Sequence, residues 1–205
     1  MELNLKIGSI RERTRSEGPG IRFAIWLQGC SLRCSGCFNP HFWNPNLGTV
    51  VSIDDLCLQI KESVQRYPEI EGVTFLGGEP FEQSASVAVL AAKVKSLGLS
   101  VMTFTGYRFD ELQDNGHSDF ISRQDLLRHT DLLVDGRYES EKIDKVRPWA
   151  GSTNQKFHFL TKRYAQESLF TNAYDSIEIN VSAQGTTKIN GWVTSDSLEK
   201  LLENL

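Results

Sequence analysis

Gly29-Cys30-Ser31-Leu32-Arg33-Cys34-Ser35-Gly36-Cys37-Phe38-Asn39-Pro40 carries three of the chain's four cysteines, spaced C-x3-C-x2-C. Thiolates at this density are ligands of iron-sulfur clusters and zinc. Gly36 and the small Ser31 and Ser35 let a short loop wrap a cluster, and Leu32 and Phe38 supply an apolar shield. Three thiolates satisfy three irons of a four-iron cluster, leaving the fourth with an open position, as catalytic metal sites have and structural ones do not. An open iron takes a small-molecule ligand.

Other readings compete for this loop. A disulfide needs an oxidising compartment, whereas Met1-Glu2-Leu3-Asn4 begins no apolar signal segment. A structural zinc site wants a fourth ligand, and the remaining cysteine, Cys57, lies twenty residues past Cys37. There Ile53, Leu56, Cys57, Ile60 and Val64 recur at helical spacing, so Cys57 reads as a core residue. His41, four residues past Cys37, is the alternative fourth zinc ligand of a non-catalytic interaction module. Spacing alone leaves that set open.

Upstream of the loop, Arg22-Phe23-Ala24-Ile25-Trp26-Leu27 reads as a strand, which places the cysteines at its C-terminal tip. Before it, residues 3 to 10 alternate as an edge strand, and Ser16-Glu17-Gly18-Pro19-Gly20 breaks the chain. Arg11-Glu12-Arg13-Thr14-Arg15 reads as a solvated loop. Downstream, a loop through Asn46-Leu47-Gly48 leads to a helix over 52 to 66, with Ser52 as N-cap and Asp54 and Asp55 in its first turn. Gly72 to Leu76 is a strand ending in Gly77-Gly78-Glu79-Pro80, then a helix runs from about 82 to 97 and stops at Gly98. Ser100 to Phe104 is a strand ending in Thr105-Gly106-Tyr107, followed by helix over 108 to 128, interrupted at Asn115-Gly116. Asp131 to Val134 is a strand ending in Asp135-Gly136-Arg137-Tyr138.

Strand and helix alternate strictly through this region, which predicts parallel βα units. Active sites gather at strand C-termini in such architectures, so the four strand-end loops are expected to converge. Beyond them, Arg147 to Gln155 reads as a polar loop, and Lys156 to Leu160 as a short strand or one helical turn. Residues 176 to 181 and 187 to 193 read as a hairpin, and Ser195 caps a final helix with Leu198, Leu201, Leu202 and Leu205 on one face. This C-terminal part reads as packing. Trp26, Trp43, Trp149 and Trp192 read as packing aromatics, with Trp43 near enough to the cysteines to shield them.

At 205 residues the chain supports one substantial core, hence a single domain over 1–205 with its centre over about 18–160, an N-terminal strand and loop over 1–17 and a tail over 161–205. A hydrophobic share of 40% and a charged share of 23% are ordinary globular usage, and no apolar run reaches membrane-span length. A net charge of −4 gives no basis for a nucleic-acid-binding surface. The expectation is a cytoplasmic protein.

Gly-Gly at a strand end exposes backbone that side chains would cover, and there it can accept hydrogen bonds from a ligand's ammonium group. The cysteine motif at one strand end and Gly77-Gly78-Glu79-Pro80 at the next together resemble the radical S-adenosylmethionine superfamily. More narrowly, Gly18-Pro19-Gly20, Gly29 to Cys37, Phe38-Asn39, Trp43, Thr105-Gly106-Tyr107, Asp131 to Arg137, Trp149 and Gly151 to Gln155 resemble the activating enzymes of anaerobic ribonucleoside-triphosphate reductase. The resemblance implies an α/β fold, a partial (βα) barrel with an N-terminal strand and a C-terminal hairpin plus helix. It implies a 4Fe-4S cluster on Cys30, Cys34 and Cys37, with S-adenosylmethionine on the fourth iron.

Under the same resemblance Gly77, Gly78 and Glu79 line the methionine amino end, Phe38 and Asn39 lie near the adenosine, and Thr103, Thr105 and Asp135 are candidates for the methionine or ribose end. The implied reaction is reductive cleavage of S-adenosylmethionine to a 5′-deoxyadenosyl radical. That radical abstracts hydrogen from a glycine of a glycyl-radical partner protein, with electrons from a donor such as flavodoxin or ferredoxin. Radical modification of a peptide or small molecule is the alternative. The chain departs from the family pattern at Phe38, where a tyrosine is frequent, and in its longer N- and C-terminal segments.

Overall fold

The structure, a computed structural model, describes residues 3–165, 177–181, 185 and 187–191. Its centre is a seven-stranded mixed sheet in the order β3-β1-β2-β4-β5-β6-β7. The strands are β1 (Asn4–Thr14), β2 (Ile21–Leu27), β3 (Thr49–Ser52), β4 (Ile70–Gly77), β5 (Ser100–Phe104), β6 (Leu132–Asp135) and β7 (Lys156–Phe159). β2, β4, β5 and β6 run parallel, while β1, β3 and β7 join antiparallel at the flanks. Four helices connect them: α1 (Ile53–Arg66), α2 (Ser84–Ser96), α3 (Phe109–Leu112) and α4 (Phe120–His129). No described helix is long and apolar enough to cross a membrane.

Alternation along the strands decides what goes where. Phe23, Ile25 and Leu27 of β2, with Val73 and Phe75 of β4 and Leu133 of β6, pack in the main core with Leu56 and Ile60 of α1 and Val87, Leu90, Ala91 and Val94 of α2. The intervening residues point to the other face. Ala24, Trp26 and Leu76 cluster there with Phe42 and Phe104, and Met102, Leu132 and Val134 form a further apolar group. Cys57 sits in the main core on α1, as its spacing predicts. Ser52 caps α1, its hydroxyl accepting from the Asp55 N–H at 3.0 Å.

Several expectations are corrected. Arg11 to Thr14 are not a surface loop but the end of β1, because the ladder to β2 continues through Ile10, Arg11 and Thr14. Their charged side chains find partners along it, with Arg13 on Glu69 and Glu12 on Arg66, each at 2.8 Å. The edge strand β3 precedes α1 where only a loop was expected. The helix placed at 82 starts instead at Ser84, after a short 3-10 turn over Pro80–Gln83. Lys156–Phe159 is a strand. The hairpin is present as β8 (Ile177–Val181) and β9 (Thr187–Gly191), paired antiparallel. The expected final helix from Ser195, like Trp192, lies outside the described residues.

Among the described residues, Arg22 is the one large cation buried outright on the sheet face opposite the helices. Among the described residues no carboxylate touches it. Its guanidinium donates instead to Thr74 Oγ1, the carbonyls of Pro19 and Val73, Ser100 Oγ and the Tyr164 hydroxyl. These bonds fasten the Gly18-Pro19-Gly20 turn to β4 and β5.

Candidate functional site

The loops that follow β2, β4, β5 and β6 meet round one cavity, as the alternation of strands and helices predicts. Cys30, Cys34, Cys37, Phe38 and Asn39 come from the first loop, Gly77, Gly78 and Glu79 from the second, Thr105 and Gly106 from the third, and Gly136 and Tyr138 from the fourth. All three thiols are partly buried and unbridged. Gly36 adopts φ +73, and Arg33 also lies in the left-handed region at φ +46, which lets so short a loop turn twice.

The strand ends are held close by backbone. Gly78 N–H donates to the Leu27 carbonyl and Glu79 N–H to the Gly29 carbonyl, each at 2.8 Å. Only glycine permits this approach, since a Cβ on Gly78 would stand 2.2 Å from the Gly29 oxygen. The Glu79 side chain does not face a ligand. It is buried, and Oε1 accepts from Phe81 N–H and the Thr105 hydroxyl, both at 2.9 Å, while Oε2 accepts from Gly106 N–H at 2.8 Å. One carboxylate thereby clamps the second and third loops together.

Burial pushes the Glu79 carboxyl up to about 7, against the lowering effect of those N–H and hydroxyl donors, with Glu82 adding to the rise. Burial likewise pushes the Cys30 thiol up to about 11 despite the N–H groups of Arg33 and Leu32, with Glu79 and Glu82 opposing ionisation. Cys34 is raised, first by burial, with Cys37 adding to the effect while Tyr138 N–H and Arg137 oppose it. These two thiols hold their protons near neutral pH, so metal binding must displace them.

Of the sequence-predicted site residues, Cys30, Cys34, Cys37, Phe38, Asn39, Gly77, Gly78, Glu79 and Thr105 all line the cavity. Thr103 and Asp135 do not. Thr103 is fully buried and its hydroxyl meets Thr130 Oγ1 at 3.0 Å. The Asp135 carboxylate accepts from Phe109 N–H at 2.6 Å and Lys156 N–H at 3.2 Å, fixing the start of α3 and of β7. Thr103 alternates out of phase with Phe104, the β5 residue that does line the cavity. Wall residues not singled out as ligand contacts include Ser16, Glu17, Tyr138 and Trp149. Tyr138 lies 5.0 Å from the Phe38 ring, so a phenol hydroxyl remains in this wall although residue 38 lacks one. Trp149 takes φ +60, a strained conformation for a bulky residue.

No group of three or more His, Cys, Asp or Glu among the described residues closes on a single point as one metal ion would require. His41 is not grouped with the cysteines; its ring lies against Phe42, tilted at 52° with centroids 4.0 Å apart, which removes the support for a zinc set of Cys30, Cys34, Cys37 and His41. A four-iron cluster makes a different demand, because its thiolates bind separate corners of a cube. Three thiols spaced round a cavity, with Leu32 in the wall, fit that demand. Two residues of its wall, Ser16 and Trp43, each carry a buried side-chain polar atom, Oγ and Nε1, without a hydrogen-bond partner among the described residues.

The family model described as "4Fe-4S single cluster domain" matches residues 16–158. The chain belongs to that family. Its matched span includes all four convergent loops and stops short of β1 and of the hairpin. The anaerobic ribonucleoside-triphosphate reductase-activating protein of Vibrio cholerae is 32% identical over 152 residues, covering 70% of this chain and 91% of the relative. Its namesake in Enterobacteria phage T4 is 29% identical, covering 68% and 84%. That of Escherichia coli K12 is 26% identical, covering 70% and 91%. Among solved structures, QueE from Escherichia coli aligns with 50% of this chain and 53% of its own at 21% identity and a TM-score of 0.42.

Proposed function

We propose that this 4Fe-4S family member is a radical S-adenosylmethionine enzyme that activates an anaerobic ribonucleoside-triphosphate reductase by generating a glycyl radical on it. The observation that carries the reading is the convergence of three free thiols with Gly77-Gly78-Glu79 and Thr105-Gly106 round one cavity. The relatives named as activating proteins of that reductase support the choice of partner.

Cys30, Cys34 and Cys37 would hold the cluster. When bound, the cluster and S-adenosylmethionine supply the one-electron chemistry that yields a 5′-deoxyadenosyl radical able to take hydrogen from a glycine. The chain's own residues do the rest. The N–H groups of Gly78 and Glu79 are engaged with the end of β2 and the start of the cysteine loop, so a methionine amino group there would donate to carbonyl oxygens. The Glu79 carboxylate acts as a positioning group, holding Thr105 and Gly106 against the thiol loop. Phe38, Asn39 and Tyr138 supply an aromatic and polar wall for an adenosine, and Leu32 and Trp149 exclude water.

We read the sheet as a partial (βα) barrel. Its parallel centre is only four strands wide, with antiparallel strands on both sides. Such a sheet leaves room for a macromolecular substrate at the strand tips. A donor such as flavodoxin or ferredoxin would supply electrons, in the cytoplasm, where thiols stay reduced. The test is to mix the anaerobically reconstituted, reduced protein with S-adenosylmethionine and its cognate reductase, then look for a glycyl radical by electron paramagnetic resonance. A signal dependent on all components is expected. Turnover of another substrate without that signal would sink the activase reading.

A further inference from the structure

The 3-10 turn after β4, Pro80–Gln83, brings a second carboxylate to the thiol loop. Its start is fixed by Glu79, whose Oε1 accepts from Phe81 N–H and whose carbonyl accepts from Glu82 N–H at 3.1 Å. From there the Glu79 side chain holds the third loop at Thr105 and Gly106. Glu82, three residues on, holds the first. Its Oε1 accepts from both donors of Ser31, the N–H at 2.8 Å and the hydroxyl at 2.6 Å. Ser31 is the residue directly after Cys30.

The donors around Cys30 are thereby divided. Of the three N–H groups that follow it, those of Leu32 and Arg33 serve the Cys30 sulfur, whereas that of Ser31 is committed to Glu82. The Ser31 hydroxyl is committed to the same carboxylate oxygen. The charge of Glu82 also bears on the thiol, for burial chiefly raises Cys30 and Glu79 and Glu82 add to the rise. Tyr107, from the third loop, belongs to the same group. Burial raises its phenol, a hydrogen bond with Ser31 opposes the rise, and Glu82 adds to it. The guanidinium of Arg123 lies 4.9 Å from the centre of the Tyr107 ring, and Glu82 itself forms no ion pair among the described residues.

We propose that Glu82 is a positioning residue for the cluster at Cys30, fixing the start of the thiol loop and keeping an uncompensated negative charge beside that thiolate, so that the bound cluster has a low reduction potential. Cluster potentials respond to net charge and to hydrogen bonds on the sulfurs. A neighbouring carboxylate opposes the arrival of one more electron. Spending both Ser31 donors on a carboxylate oxygen, and not on sulfur, acts in the same direction. The electron delivered by an external one-electron donor then passes more readily to a sulfonium. This rests on the cluster assignment in the reading above and is independent of which protein is activated.

Glu82→Gln and Glu82→Ala separate charge from hydrogen bonding in the anaerobically reconstituted protein. Glutamine keeps an acceptor for Ser31 and loses the charge, whereas alanine loses both. Glu82 is exposed, so neither variant leaves a buried cavity, and thermal melts verify that both fold. Two quantities are read without any reductase: the cluster's midpoint potential by redox titration, and the rate of iron loss to a chelator. In Glu82→Gln the ratio of reduced to oxidised cluster at a fixed ambient potential is expected to rise about threefold, with iron loss at the wild-type rate. In Glu82→Ala the potential rises further and iron is lost about tenfold faster. A midpoint potential unmoved in Glu82→Gln overturns the proposal and reduces Glu82 to a surface contact. Iron loss unchanged in Glu82→Ala overturns it as well. A wild-type protein that takes up no four-iron cluster overturns the cluster reading first and the proposal with it. A potential shift in the expected order without a glycyl radical on the reductase sustains the proposal and overturns only the choice of partner.

Discussion

Gly78→Ala is the sharpest perturbation of the convergence of loops. Residue 78 does not have a positive φ, so alanine there meets no backbone strain and the effect is purely one of space. Its Cβ would stand 2.2 Å from the Gly29 oxygen and 2.9 Å from the Leu27 oxygen. The two strand ends must then separate by roughly 1 Å to reach ordinary contact. The bonds from Gly78 N–H to Leu27 and from Glu79 N–H to Gly29, both 2.8 Å, stretch beyond the roughly 3.2 Å range of a good hydrogen bond. Two backbone bonds at about 1 kcal/mol each, with the overpacking itself, give a loss of ~3 kcal/mol. For a chain of this size that lowers the melting temperature by roughly 6–12 °C.

The same movement shifts the thiol loop against Thr105 and Gly106, so S-adenosylmethionine cleavage should fall at least tenfold even at temperatures where the variant is folded. Gly98→Ala is the control. It has φ +78 and nothing within 4 Å of an added Cβ, so it should cost ~1 kcal/mol from backbone strain and leave cleavage intact. Thermal melts with a cleavage assay on both variants decide the matter. A Gly78→Ala protein with wild-type stability and cleavage would refute the idea that close backbone approach builds the site.

Cys34→Ala should abolish cleavage and leave no four-iron absorption after reconstitution, whereas Cys57→Ala should keep both and lose ~1 kcal/mol of packing, measured by urea unfolding. The raised Glu79 carboxyl gives a pH dependence of definite sign. Its folded value near 7 exceeds the ordinary 4.5, so the cost of holding it ionised is absent below about 4.5, grows as pH rises, and is complete above about 7. Glu79→Gln should remove that downward slope of stability between pH 4.5 and 7, read by urea midpoints across the range. A slope unchanged by the substitution would show that another group sets it. Arg22→Met should destabilise by ~3 kcal/mol, because it strands the Ser100 and Thr74 hydroxyls and the Val73 carbonyl in a buried place, and the urea midpoint reports it.

The parts of the site legible in the sequence are those where one residue type has one physical use. Clustered cysteines after an apolar strand, paired glycines after the next, and a serine ahead of helical spacing each carried their meaning locally. Parity along a short strand was less legible. Thr103 stands at a strand end beside the cavity, yet a shift of one position turns a side chain to the other face of the sheet. Charge also misled, since Arg11 to Thr14 look like surface loop until the ladder with β2 is seen to hold them. The position of the hairpin was out of reach for a different reason. Asn190 meets Thr14 and Glu17 across more than 170 positions of chain, and no local pattern encodes such a contact.

The Glu79 clamp bears on how this scaffold can be re-engineered. A single side chain ties residues 105 and 106 to the tip of β4, while its own amide ties that tip to Gly29. Transplanting one loop from a relative would import a surface cut to a different keystone. Grafts should therefore move segments 29–37, 77–79 and 105–106 as one cassette.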